Sequence, residues 1–204
     1  MKHFRSAVTE WKRASEDKLV AIPSRDKTFG LENCRDLLRK LEWELSCLRD
    51  TTGDDPEPLM FFAFNAAVTA WHLGDWVWSD MTDVQRNDLQ VEWEIDDMTK
   101  GNFRFEVRNK NRSLALCREV ATASKHVEIL QSPDPLVRTE VSAEIVNVLS
   151  NGMRVVDNDG SQVIAEIGWK LLVKDKERSI PFIEVVEGAV DFWTEFIHHK
   201  RIAG

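Results

Sequence analysis

Tyrosine is absent from this chain, glycine is scarce and proline scarcer, with nine and six residues in 204. So few chain breakers exclude a long linker or a low-complexity tract. The glycines never cluster, which excludes a P-loop, and there is no Gly-x-Ser-x-Gly elbow for a serine nucleophile. No internal repeat is visible. Cysteine is also rare: Cys34, Cys47 and Cys117 make an odd count without a Cys-x-x-Cys pair. The opening MKHFRSAVTEWKR has no apolar core of signal-peptide type. Together these features lead us to expect a reduced, cytoplasmic setting. Cys34 and Cys117 fall in helical apolar stripes, where a small buried hydrophobe is the expected role and a nucleophile a distant second. Positive charge is in deficit, with a formal net charge of −8. Such a chain repels nucleic acid and anionic membrane on average, so neither is an expected partner.

What the chain does have is apolar content and tryptophan: 43% hydrophobic residues, enough for one sizeable core, and eight Trp. The most apolar run, Leu59 to Trp78, has the length of a membrane span but holds Asn65, His72 and Asp75. A charge in a bilayer is costly, so a helix buried on all sides of a bundle explains it better. Around it, periodicity predicts a first helix from about His3 to Lys18 and a second from Leu31 to Arg49, where Cys34, Leu38, Leu41, Leu45 and Leu48 repeat as a bundle seam. The third helix spans about Pro56 to Asp80, with Asp55 as its cap. An acidic helical region, Thr82 to Lys100, precedes a helix from Phe103 to His126 that is basic in its first half. We expect these opposite charges to pair between adjacent antiparallel helices, or to be solvated faces.

Beyond His126 the period changes to two. Val163, Ala165, Ile167, Trp169, Leu171 and Val173 alternate strictly, and Asn151-Gly152 and the DNDG at 157–160 read as hairpin turns. A calcium loop at DNDG fails because the EF-hand ligand spacing is missing. Val127 to Leu130 reads as a short extra strand. A last helix begins near Pro181 with Phe182, Val186, Ala189, Trp193 and Phe196 as its buried stripe. The expected fold is therefore α+β and mostly α: a bundle of about five helices (1–126), a three-stranded antiparallel meander (127–178) and a C-terminal helix (179–204), in a single domain.

Two stretches carry candidate chemistry. In AWHLGDWVW, His72 and Asp75 are i and i+3 and share a helix face; in REVATASKH, Glu119 and His126 share one, with Lys125 beside it. If the two faces meet, His72, Asp75, Glu119 and His126 are a ligand set for a divalent metal such as zinc, iron or manganese. The competing reading has each group hydrogen-bonded for structure, His126 and Lys125 complementing a helix C-terminus. A bundle-type ribonuclease toxin needs an Arg four to six residues before its His on one helix; Arg118 is set too far from His126.

These two stretches also carry a resemblance. AWHLGDWVW followed by CREVATASKHVEI resembles a family of small, functionally uncharacterised bacterial and phage-encoded proteins with an HLxDW helix and a downstream helix ending in Lys-His. The resemblance implies no reaction. It marks His72, Asp75, Trp76, Lys125 and His126. If the protein is an enzyme, metal-assisted or general acid–base hydrolysis is expected, with His72 and His126 as ligand or base, Asp75 as the orienting carboxylate and Lys125 as charge stabiliser. The alternative is an interaction protein acting through a homodimer or another protein.

Overall fold

A computed structural model describes residues 27–52, 55–123, 134–156 and 162–202, without the side chains of 144–156 and 162–167. The expected first helix, the strand at Val127 to Leu130, and Lys125 and His126 lie outside the described residues. The chain divides into two compact units, Met1–Glu32 and Asn33–Gly204. Of the first, residues 27–32 show a turn in which Leu31 N donates to Thr28 O at 3.2 Å and Gly30 takes a φ of 89°, open to glycine at no steric cost.

The second unit is mostly helical α+β, as expected. Among the described residues, five helices precede a three-stranded antiparallel sheet, and a C-terminal helix returns to the bundle. Helix α1 (Cys34–Asp50) starts where Asn33 Oδ1 accepts from Arg35 N and Asp36 N, both at 3.0 Å. Its seam of Cys34, Leu38, Leu41, Leu45 and Leu48 is buried, with Leu37 and Glu44 added. Helix α2 (Glu57–Asp80) begins as Asp55 Oδ1 accepts from Glu57 N at 2.9 Å. It is the central helix and packs on α1 and on three of the later helices. No helix among the described residues is long and apolar enough to cross a membrane.

The acidic region is shorter as a helix than expected. Helix α3 (Asp83–Glu92) opens on a Thr82–Gln85 capping box and stops at Trp93. The backbone then turns through Glu94 at φ 54°, and Trp93 stacks on Phe103 with ring centroids 5.8 Å apart. The expected helix from Phe103 to His126 is two helices, α4 (Lys100–Lys110) and α5 (Arg112–Ala123). Asn111 separates them, because its side chain accepts from Leu114 N at 2.9 Å and so caps a new helix.

The sheet also departs from expectation. Strand β1 (Val137–Val156) runs straight through Asn151-Gly152 and pairs antiparallel with β2 (Gln162–Asp175). Ala165 opposes both Val148 and Met153, so Asn151-Gly152 lies in a bulge and not a hairpin turn. The residues suit either geometry; the ladder continuing on β2 decides for the bulge. The third strand is β3 (Arg178–Pro181), from Leu172↔Pro181 to Asp175↔Arg178, after a turn in which Lys176 has φ 57°.

Helix α6 (Phe182–His199) buries Phe182, Val186, Ala189, Trp193 and Phe196, joined by Val185 and Ile197. That stripe covers the bundle more than the sheet. Trp193 is fully buried against Gly74, where an added Cβ would sit 3.5 Å from the indole, and its Nε1 donates to Ala70 O at 2.9 Å.

Candidate functional site

Helix α2 buries its alanines and leaves Trp71, His72, Asp75 and Trp76 half-buried. Helix α4 lies against this side of it. His72 Nδ1 is 3.4 Å from Asp75 Oδ2, so the pair that the i, i+3 spacing suggested does form. Two cations from α4 complete the cluster: Lys100 Nζ is 3.0 Å and Arg104 Nη1 3.3 Å from Asp75 Oδ1. The Arg104 guanidinium also lies over the Trp71 ring, 4.6 Å from its centroid. Asp75 Oδ1 is shut from solvent and makes these ion pairs without a well-aligned hydrogen bond.

The charge balance of Asp75 follows from its surroundings. Burial pushes its carboxyl pKa up, but the His72 hydrogen bond, the close Lys100 ammonium and the positive charge of Arg104 outweigh it and hold the group down at about 2. An ionised carboxylate only accepts, so the contacting His72 nitrogen, Nδ1, is the one that carries hydrogen. In the tautomer this contact selects, the ring lone pair is on Nε2.

Glu119 does not join this cluster, and Lys125 and His126 lie outside the described residues. Glu119 pairs with Arg118 at 2.6 Å and accepts from Asp134 N at 3.3 Å. Its neighbour Val120 lines a groove with Met60, Ala63 and Phe64. At about 1.5 Å of rise per residue, that level of α2 is roughly 12 Å from His72. No three His, Cys, Asp or Glu side chains group to hold a metal among the described residues. The donor chemistry explains why a divalent ion does not suit Asp75: two cations already sit at its Oδ1 and would repel a third. The chain resembles no family model, curated protein or solved structure closely enough to match.

Lys100 and Arg104 were not legible as site residues. They stood in the basic run expected to pair with the acidic region, yet no ion pair among the described residues joins 83–97 to 100–118. Lys100 and Arg104 go to Asp75, Arg112 to Asp134 and Asp175, and Glu92 to Lys200. A second missed group is Glu44, only 2% exposed, ion-paired with Lys40, whose Nζ also donates to Thr69 Oγ1 at 2.7 Å. Glu44 lies beside the α1 seam, and nothing local announces that a carboxylate there would be buried. The thiols of Cys34 and Cys117 are both pushed up to about 12, by burial foremost, and so are poor nucleophiles.

Proposed function

We propose that the chain acts through the polar site at His72 and Asp75, as a general acid–base centre for hydrolysis of a substrate bearing a negative charge. The observation that carries the reading is the set of contacts around Asp75: one imidazole and two cations on a single half-buried carboxylate. Asp75 orients the ring through Nδ1, and Nε2 takes a proton from an attacking water and passes it to the leaving group. Lys100 and Arg104 attract the substrate's charge to the same place. The resemblance through the HLxDW helix singles out the same His, Asp and Trp. The reading takes the acid–base form of hydrolysis, since the cations beside Asp75 oppose a metal there. We further propose a cytoplasmic setting, in keeping with three free cysteines among the described residues.

The test is a panel of chromogenic ester, phosphoester and amide substrates with wild type, His72→Ala and Asp75→Asn. Turnover that disappears in His72→Ala, while its thermal midpoint stays near wild type, supports the site. Turnover by none of the panel, or turnover equal in the variant, removes the hydrolytic reading.

A specific observation favours a second reading, an interaction protein. Met60, Phe61 and Phe64 on α2 are 37%, 58% and 43% exposed, and Val141 on β1 is 41% exposed. Met60, Phe64 and Val141 border an apolar groove of about 210 Å³. A homodimer or a protein partner would cover this face. Sedimentation velocity of wild type and Phe64→Glu distinguishes them: a dimer lost in the variant supports self-association, and a monomer in both removes it.

A further inference from the structure

A second polar cleft lies away from His72. It encloses about 470 Å³ between the end of α4, one face of α5 and the segment before β1, and its walls are polar. Arg108, Asn109, Arg112, Arg118, Glu119 and Asp134 line it. A volume of this size suits a small metabolite.

The groups in the cleft are held in place before any ligand arrives. Arg112 donates from Nε to Asp175 Oδ2 at 2.8 Å and reaches Asp134 at 3.3 Å, so its charge is spent within the protein. Arg118 holds Glu119, and Glu119 receives the Asp134 N–H. Arg108 differs. Its guanidinium lies over the Phe105 ring, 5.0 Å from the centroid, and it has no carboxylate partner among the described residues. Asn109 beside it is exposed. The cleft thus offers one uncommitted planar cation with an amide at one end, and carboxylates with acceptor capacity to spare at the other. Glu119 lies about 10 Å along α5 from Arg112 at 1.5 Å per residue, and Asp134 bridges the two, its carboxylate at Arg112 and its N–H on Glu119.

We propose that this cleft binds a sugar phosphate, its phosphate on Arg108 and Asn109 and its hydroxyls donating to Glu119 and Asp134. A guanidinium matches a phosphate with two parallel hydrogen bonds, and the carboxylates accept from hydroxyls that inorganic phosphate lacks. Lys100, Arg104 and Arg108 follow one another at four-residue steps on α4, so the cleft continues the ridge of cations that begins at Asp75. Binding here does not depend on the reaction proposed for His72.

Isothermal titration of the full chain with ribose 5-phosphate, inorganic phosphate and ribose tests the assignment. Ribose 5-phosphate should bind at least about tenfold tighter than inorganic phosphate, the size of one good charged hydrogen bond, and ribose should give no saturable heat. Arg108→Gln and Asn109→Ala each change an outward residue and should weaken ribose 5-phosphate several-fold with circular dichroism unchanged. Glu119→Gln should shrink its advantage over phosphate. No saturable heat with ribose 5-phosphate, equal affinity for phosphate, or unchanged affinity in both Arg108→Gln and Asn109→Ala would each overturn the proposal.

Discussion

Two ion clusters in this molecule are inverses of one another. Asp75 is one carboxylate held by two cations, Lys100 and Arg104; Arg112 is one cation held by two carboxylates, Asp134 and Asp175. Their surroundings differ. The Asp75 side chain is 22% exposed and the Arg112 side chain 48%. Water screens Arg112, so its pairs serve mainly to orient groups around a cleft. Asp75 has given up most of its hydration, so its partners decide its energy. The same count of opposite charges therefore makes a structural tie in one place and a chemically poised group in the other.

That contrast breaks most sharply at Asp75 itself. Asp75→Ala leaves two cations and an imidazole without their anion and should cost about 2–3 kcal/mol in urea unfolding. A loss no larger than that of Arg112→Ala would erase the distinction. Acid sharpens it next. The folded pKa of Asp75 lies at about 2, below the ordinary 3.8, so its contribution is fully present above pH 3.8 and is lost as pH falls towards 2. By linkage that window is worth up to about 2 kcal/mol, and Asp75→Asn should remove this component from the stability–pH curve. A smaller effect separates the two cations. Arg104 also covers Trp71, so Arg104→Lys should lose about 0.5–1 kcal/mol, whereas Lys100→Arg should be close to neutral by thermal melting. Arg112→Ala should also cost little, below about 0.5 kcal/mol, and less still in high salt.

Legibility followed the range of the interaction. The α1 seam and the stripe of α6 were read correctly because each is a pattern within one helix; Asp55 does accept from Glu57 N, but it stands one residue before the N-cap, which is Pro56. His72–Asp75 was legible for the same reason, since three residues along a helix is one turn. Asn111 was missed although its capping role is local, because the apolar period on either side masked the interruption. Asn151-Gly152 misled because its backbone preferences suit a turn and a bulge alike. Lys100 and Arg104 were misassigned because charge pairing in the sequence was judged by neighbourhood, while α4 in space faces α2.

What the amino-acid order determined by itself was thus the fold class, the apolar faces of α1, α2 and α6, and the pair His72–Asp75, all products of contacts within a turn or two. Only the tertiary structure decided which cations reach Asp75, that α6 seats Trp193 on Gly74, and that three arginines open onto one cleft. Those outcomes depend on which desolvated surfaces meet, and burial and long-range pairing are properties of the assembled chain that no local spacing encodes.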